Sequence, residues 1–382
     1  MTTRVSTAII RDLHWTRFLI LLGPILLYYL NGAIVPNLGV PLLDIPPEAL
    51  LTDGAGYTEA IGRNRVLGAF LFFTTVVLVA TLAFYGEWNR ALSPEARRNA
   101  LIGLVAVLVI VSLTMIEHRD RSLEVWRIYH QMGNGVIEAV LAQGDLRYCQ
   151  QAVTAGSVTE FVPRPDKRFF LFWRCTDNPV FELFRLILGV TTFLSGLGVA
   201  ALVLGMILSL ARPHADVDLE IRALEHGRNQ RAAKRFLYLS GLMLSTGMFL
   251  SLSWMQWPYP MIDAKAFPAY KEVISAVLFY NGVFYTLLIV TGFGPVMMLN
   301  ARYSEDLAME ALQPAPDTQA RPAAQDASAA EPSPPPAPIT VRLLDDWKQA
   351  HGLRISMTEA IQALVATTSP LLTAFAGGFA PL

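Results

Sequence analysis

Val66–Tyr85 reads VLGAFLFFTTVVLVATLAFY, twenty residues without an Asp, Glu, Lys, Arg or His. About 20 apolar residues in a helix rising about 1.5 Å each cross the roughly 30 Å hydrocarbon core of a bilayer. A helix bonds all its backbone amides internally, so it is the reading for an apolar run of this length. Working outward, five more windows have the same character: Phe18–Val35, Ala100–Ile116, Leu186–Leu210, Phe236–Trp257 and Val273–Leu299. The expectation is an all-α polytopic membrane protein with six transmembrane helices. The composition agrees, with 53% hydrophobic and 16% charged residues over 382 positions, the balance of a lipid-solvated chain. A net charge of -1 offers no basic excess for nucleic acid, so the bilayer is the first expected partner.

Basic residues in short loops stay in the cytoplasm, so alternate loops set the orientation. The arm 1–17 carries Arg4, Arg11 and Arg17, and the second loop carries Arg90, Arg97 and Arg98. The fourth adds Arg212, Arg222, Arg228, Arg231, Lys234 and Arg235, whereas the first and fifth hold only Arg63, Arg65, Lys265 and Lys271. Both termini are therefore expected in the cytoplasm of a cell membrane, the inner membrane if the source is bacterial. The first span exceeds the apolar core of a signal peptide and no small-x-small site follows, so it is read as retained.

This orientation divides the chain. Residues 1–17 form a cytoplasmic arm, 18–116 hold spans one to three, and 117–185 make an extracytoplasmic loop domain. Residues 186–299 hold spans four to six, 300–340 a cytoplasmic Pro/Ala-rich linker, and 341–382 a helical tail. The outer loop contains Cys149 and Cys175, expected to be bridged in an oxidising compartment. Apolar spacing over 122–143 predicts an amphipathic helix there, and Pro163–Lys167 predicts the turn of a hairpin.

The tail shows two helical patterns. Val341, Leu344 and Trp347 share one face of a helix over Val341–Ala350. Ser356-Met357-Thr358-Glu359 matches a capping box ahead of Ile361, Leu364 and Val365, so a second helix is expected from Met357. Leu344, Trp347, Ile361, Leu364 and Val365 are the expected docking residues, seated on a protein partner or on the chain's own membrane domain. Lying in the interface and forming a seventh span are the alternatives for the last uncharged stretch.

Catalytic signatures are lacking: there is no His-Glu-x-x-His, phosphate-binding Gly-Lys-Ser/Thr loop or nucleophile elbow. No cofactor, catalytic residue or metal ligand is assigned. His214, Asp216 and Asp218 resemble a metal set, but an aspartate preceding Leu219 reads better as a helix cap. Gly23-Pro24 and Gly292-Phe293-Gly294-Pro295 are candidate helix breaks for lining a pathway, with a simple kink as the plainer reading. The expected function is that of a non-catalytic membrane scaffold or sensor whose tail docks a partner or itself. A transporter or pore is the alternative, and an intramembrane enzyme ranks third.

Overall fold

The computed structural model describes residues 9–37, 49, 55–119, 179–257, 259, 262–263, 265–313 and 341–379. The expected Cys149–Cys175 bridge, the outer-loop helix and hairpin, and most of the 300–340 linker lie outside them. The described chain is nearly all helical. A 3-10 segment, Trp15–Leu21, leads into α1 (Leu22–Asn37). Then come α2 (Ala55–Trp88), α3 (Pro94–Arg119) and α4 (Pro179–Leu208), and after them α5 (Leu219–Met255) and α6 (Ala269–Leu312). The tail supplies α7 (Val341–Ala350) and α8 (Met357–Phe379).

Among the described residues, α2, α4, α5, α6 and α8 are long and apolar enough to cross a membrane. This is the architecture of a multi-pass membrane protein. Four of these helices carry expected spans. The fifth, α8, is the segment given only as an alternative span above, while the first and third windows fall on the shorter Trp15–Asn31 stretch and on α3.

The loops converge as the charge pattern requires. At one end β1 (Arg11–Asp12) pairs antiparallel with β2 (Arg212–Pro213), Arg11 also bridges to Leu92, and Ser93 N–H donates to Arg11 O at 2.9 Å. The arm, second loop and fourth loop, all basic, thus meet. At the other end Asp263 N–H donates to Ala49 O at 2.7 Å, and Gly62 lies against Trp257, so the first and fifth loops meet.

The core is built from Val66, Phe73 and Val77 of α2, Leu202 and Met206 of α4, and Phe236 and Met243 of α5. Gly205 on α4 leaves room for the Phe236 ring, which any Cβ there would overlap. Leu71, Phe72, Leu78 and Leu82 point outward from α2, as do Phe193 and Val199 from α4. Large apolar side chains facing out and small residues at contacts are the pattern of helices solvated by lipid tails, where packing drives association.

Candidate functional site

The polar first half of α5 organises the basic end of the molecule. Of the two candidate capping aspartates, Asp216 and Asp218, it is Asp218 that caps the helix, its Oδ1 accepting from Glu220 N–H at 2.8 Å. His214 Nδ1 lies 2.9 Å from Asp12 Oδ2 instead of joining a metal set. Among the described residues no three His, Cys, Asp or Glu side chains are grouped to hold a metal.

One face of α5 enters a charged node. Arg90, two residues past α2, reaches Glu87 Oε2 at 2.9 Å, Glu225 Oε2 at 2.6 Å and Asn229 Oδ1 at 3.0 Å. Arg228 also donates to Glu225, and Arg235 to Glu87 at 2.9 Å. Arg11 is buried behind them with 1% exposure. Its Nη1 donates to Asn229 Oδ1 at 3.3 Å, while Nη2 has no acceptor among the described residues. Burial lowers the Arg11 guanidinium to about 10; Arg90 adds to the effect, and Glu87 and Glu225 oppose it. It remains a cation at neutral pH. An open depression of about 350 Å³ borders the node, lined by Glu87, Arg90, Arg228, Arg231, Ala232 and Arg235.

A neutral buried cluster binds α5 to α6. His226 Nε2 lies 2.9 Å from Ser304 Oγ and 3.1 Å from Asn300 O, and Gln230 donates to Ser304 at 2.7 Å. The Ser304–His226 distance suits a nucleophile and its base. However, Ser304 Oγ also donates to Asn300 O at 3.0 Å, and the two residues are only 2% and 1% exposed. Enclosed in this way, the pair joins α5 to α6 through its hydrogen bonds. Arg212 stacks 3.8 Å above the Tyr303 ring, and Arg222 pairs with Glu310 farther out. Burial lowers the pKa of Arg212, and Arg17 adds to that.

The tail packs on the same two helices. Gly352, at φ 66°, closes α7 in the left-handed conformation that glycine adopts without strain. Leu353 is then buried beside Gly227. The expected capping box forms: Glu359 N–H donates to Ser356 Oγ at 3.2 Å, and Ser356 N–H to Glu359 Oε2 at 3.0 Å. Lys234 of α5 pairs with Glu359 at 2.8 Å. Beyond this, α8 runs beside α5 in the same direction, reaching Leu252 at Gly377.

The contact face of α8 differs from the expected docking face. Leu344 and Trp347 are half-buried on α7, but Ile361, Leu364 and Val365 are exposed at 52%, 63% and 52%. Ala363, Ala366, Pro370, Ala374 and Gly377 turn inward instead. Ala366 O meets Gly241 on α5, a Cβ on Gly282 of α6 would lie 2.7 Å from Ala374 Cβ, and Phe375 packs edge-on to Phe279 at 5.3 Å. The reversal has a physical cause. In water the large apolar side chains would turn inward, whereas in lipid the small ones do, because they let backbones approach.

The candidate helix breaks pack on one another. Gly23 approaches Thr291 O and Gly292 approaches Pro24 Cγ, at 3.3 and 3.5 Å from an added Cβ. Pro24 is the third residue of α1 and follows directly on the 3-10 segment. Helix α6 runs unbroken through Gly292, Gly294 and Pro295. Sequence reading takes Arg11 only as a loop charge and passes over Glu225, His226, Asn229 and Ser304. The available signal was a polar stripe at helical spacing, Arg222, Glu225, His226, Asn229 and Gln230, ahead of the fifth span. No family profile matches the chain, and neither a curated protein nor a solved structure is significantly similar to it.

Proposed function

We propose that this chain is a non-catalytic multi-pass membrane subunit, a scaffold whose C-terminal helix docks on its own membrane domain. The observation behind this is the seat of α8 on α5 and α6, with Ala366 O against Gly241 and large apolar side chains left facing outward. A helix 23 residues long with that pattern suits a lipid-solvated place in the bundle. The positive-inside rule assigns the arm and the second and fourth loops to the cytoplasm. Since α8 parallels α5, its last residues then emerge on the far side. This departs from the expectation that both termini are cytoplasmic. The Arg/Glu node and α7 remain on the cytoplasmic face, where a scaffold or sensor presents its polar surface.

The test is a cysteine pair, Phe279→Cys with Phe375→Cys, in a Cys149→Ser, Cys175→Ser background and oxidised in native membranes. Crosslinking within one chain supports self-docking. A crosslink found only between chains, or none, removes it. Solute flux that depends on the protein in proteoliposomes would replace the scaffold reading with a transporter.

A further inference from the structure

We infer that the arginine-lined depression beside Glu87 and Arg90 binds the phosphate of an anionic phospholipid headgroup. Five guanidinium groups, Arg11, Arg90, Arg228, Arg231 and Arg235, gather there around only two carboxylates, Glu87 and Glu225. Both carboxylates are already engaged: Glu87 by Arg90 and Arg235, Glu225 by Arg90 and Arg228. Arg231 donates only to the Gly227 carbonyl at 3.3 Å and has no carboxylate partner among the described residues. Arg11 is 1% exposed, and its Nη2 is buried without an acceptor. A cationic excess at the edge of a low-dielectric bundle is costly unless an anion neutralises it.

Phosphate fits this arrangement. A guanidinium presents its donors as a planar fork that matches phosphate oxygens, and basic pockets between membrane helices on the cytoplasmic side take anionic headgroups. The depression also lies at headgroup depth. Arg235 immediately precedes fully buried Phe236, where the fifth apolar window begins, and Glu87 adjoins Trp88 at the end of α2. Two turns inward along α5 and on the face of Arg235, Leu242 leaves 44% of its surface exposed, offering an apolar track for acyl chains. A soluble phosphate would make no use of that track. The lipid is therefore the favoured source.

The experiment titrates the purified full-length chain in detergent with phosphatidylglycerol, phosphatidylcholine or inorganic phosphate. Thermal unfolding and lipid retention by native mass spectrometry are followed in parallel. Phosphatidylglycerol is expected to raise the midpoint and stay bound, and phosphatidylcholine to do neither. The exposed pair Arg228→Gln, Arg231→Gln is expected to weaken phosphatidylglycerol binding about tenfold, the loss of one charge-assisted contact. Lys265→Gln with Lys271→Gln, at the other end, is expected to change nothing. Unaltered binding in the arginine variant would overturn the assignment, as would equal retention of phosphatidylcholine. A full midpoint shift from inorganic phosphate alone would overturn the lipid as its source. None of these outcomes depends on where α8 sits.

Discussion

Gly241 of α5 and Ala366 of α8 meet backbone to backbone, so closely that a Cβ on Gly241 would overlap the Ala366 carbonyl oxygen. Pro370 explains why that oxygen is available, since it has no N–H to offer the carbonyl four residues earlier. Ser369 Oγ supplies one donor, at 2.8 Å, and the remaining side of the oxygen faces the glycine.

Gly241→Val should therefore push α8 off its seat, at about 1–3 kcal/mol for overpacking a close contact. Gly294→Ala, where an added Cβ meets nothing within 4 Å, is the control. Thermal unfolding in nanodiscs should show a lowered midpoint for the first and an unchanged or slightly raised one for the second. Equal midpoints would mean that the contact contributes nothing.

The Lys234–Glu359 pair fixes the start of α8, with side-chain exposures of 13% and 37%. Partly exposed pairs contribute about 0.2–1 kcal/mol, so either single charge reversal should cost about 1 kcal/mol. The double reversal should recover most of it. Additive losses in the double variant would show that the two charges do not interact.

Glu87 joins Arg90 and Arg235 and lies 4.0 Å from Arg11. Glu87→Gln should destabilise by about 3–5 kcal/mol, because it leaves buried cations uncompensated. Arg231→Gln, removing a cation without a carboxylate partner, should be close to neutral. Chemical unfolding of both variants ranks them, and a neutral Glu87→Gln would contradict the account of the node.

A nitroxide label reads the outward face of α8 directly. At Leu364→Cys the label should be relaxed by oxygen, which concentrates in lipid, far more than by a water-soluble nickel complex. The opposite preference would place that face in water.

Much of the fold was legible because it rests on period and length. Val66–Tyr85 is an apolar run long enough to span, Asp218 and Ser356 are caps that act locally, and the loop charges anticipated which segments meet at Arg11. The inward face of α8 was hidden. Hydrophobicity singles out Ile361, Leu364 and Val365, which face outward, whereas the contacts of α8 with α5 and α6 run through Ala366, Ala374 and Gly377. Ser369, Pro370 and Gly377, which carry little hydrophobic signal, are part of the packing surface. The node was hidden for another reason: Arg11, Arg90 and Asn229 lie far apart in the chain, and only the meeting of three loops joins them.

The central claim, that α8 lies in the bundle beside α5, is tested most directly by the sidedness of its two flanks. Single cysteines at Val341 and Phe379, in a chain with Cys149 and Cys175 replaced by serine, are labelled in sealed vesicles with a membrane-impermeant maleimide. The account predicts that Val341→Cys reacts only from the side that labels Ile221→Cys, and Phe379→Cys only from the opposite side. Labelling of both flanks from the same side would contradict it.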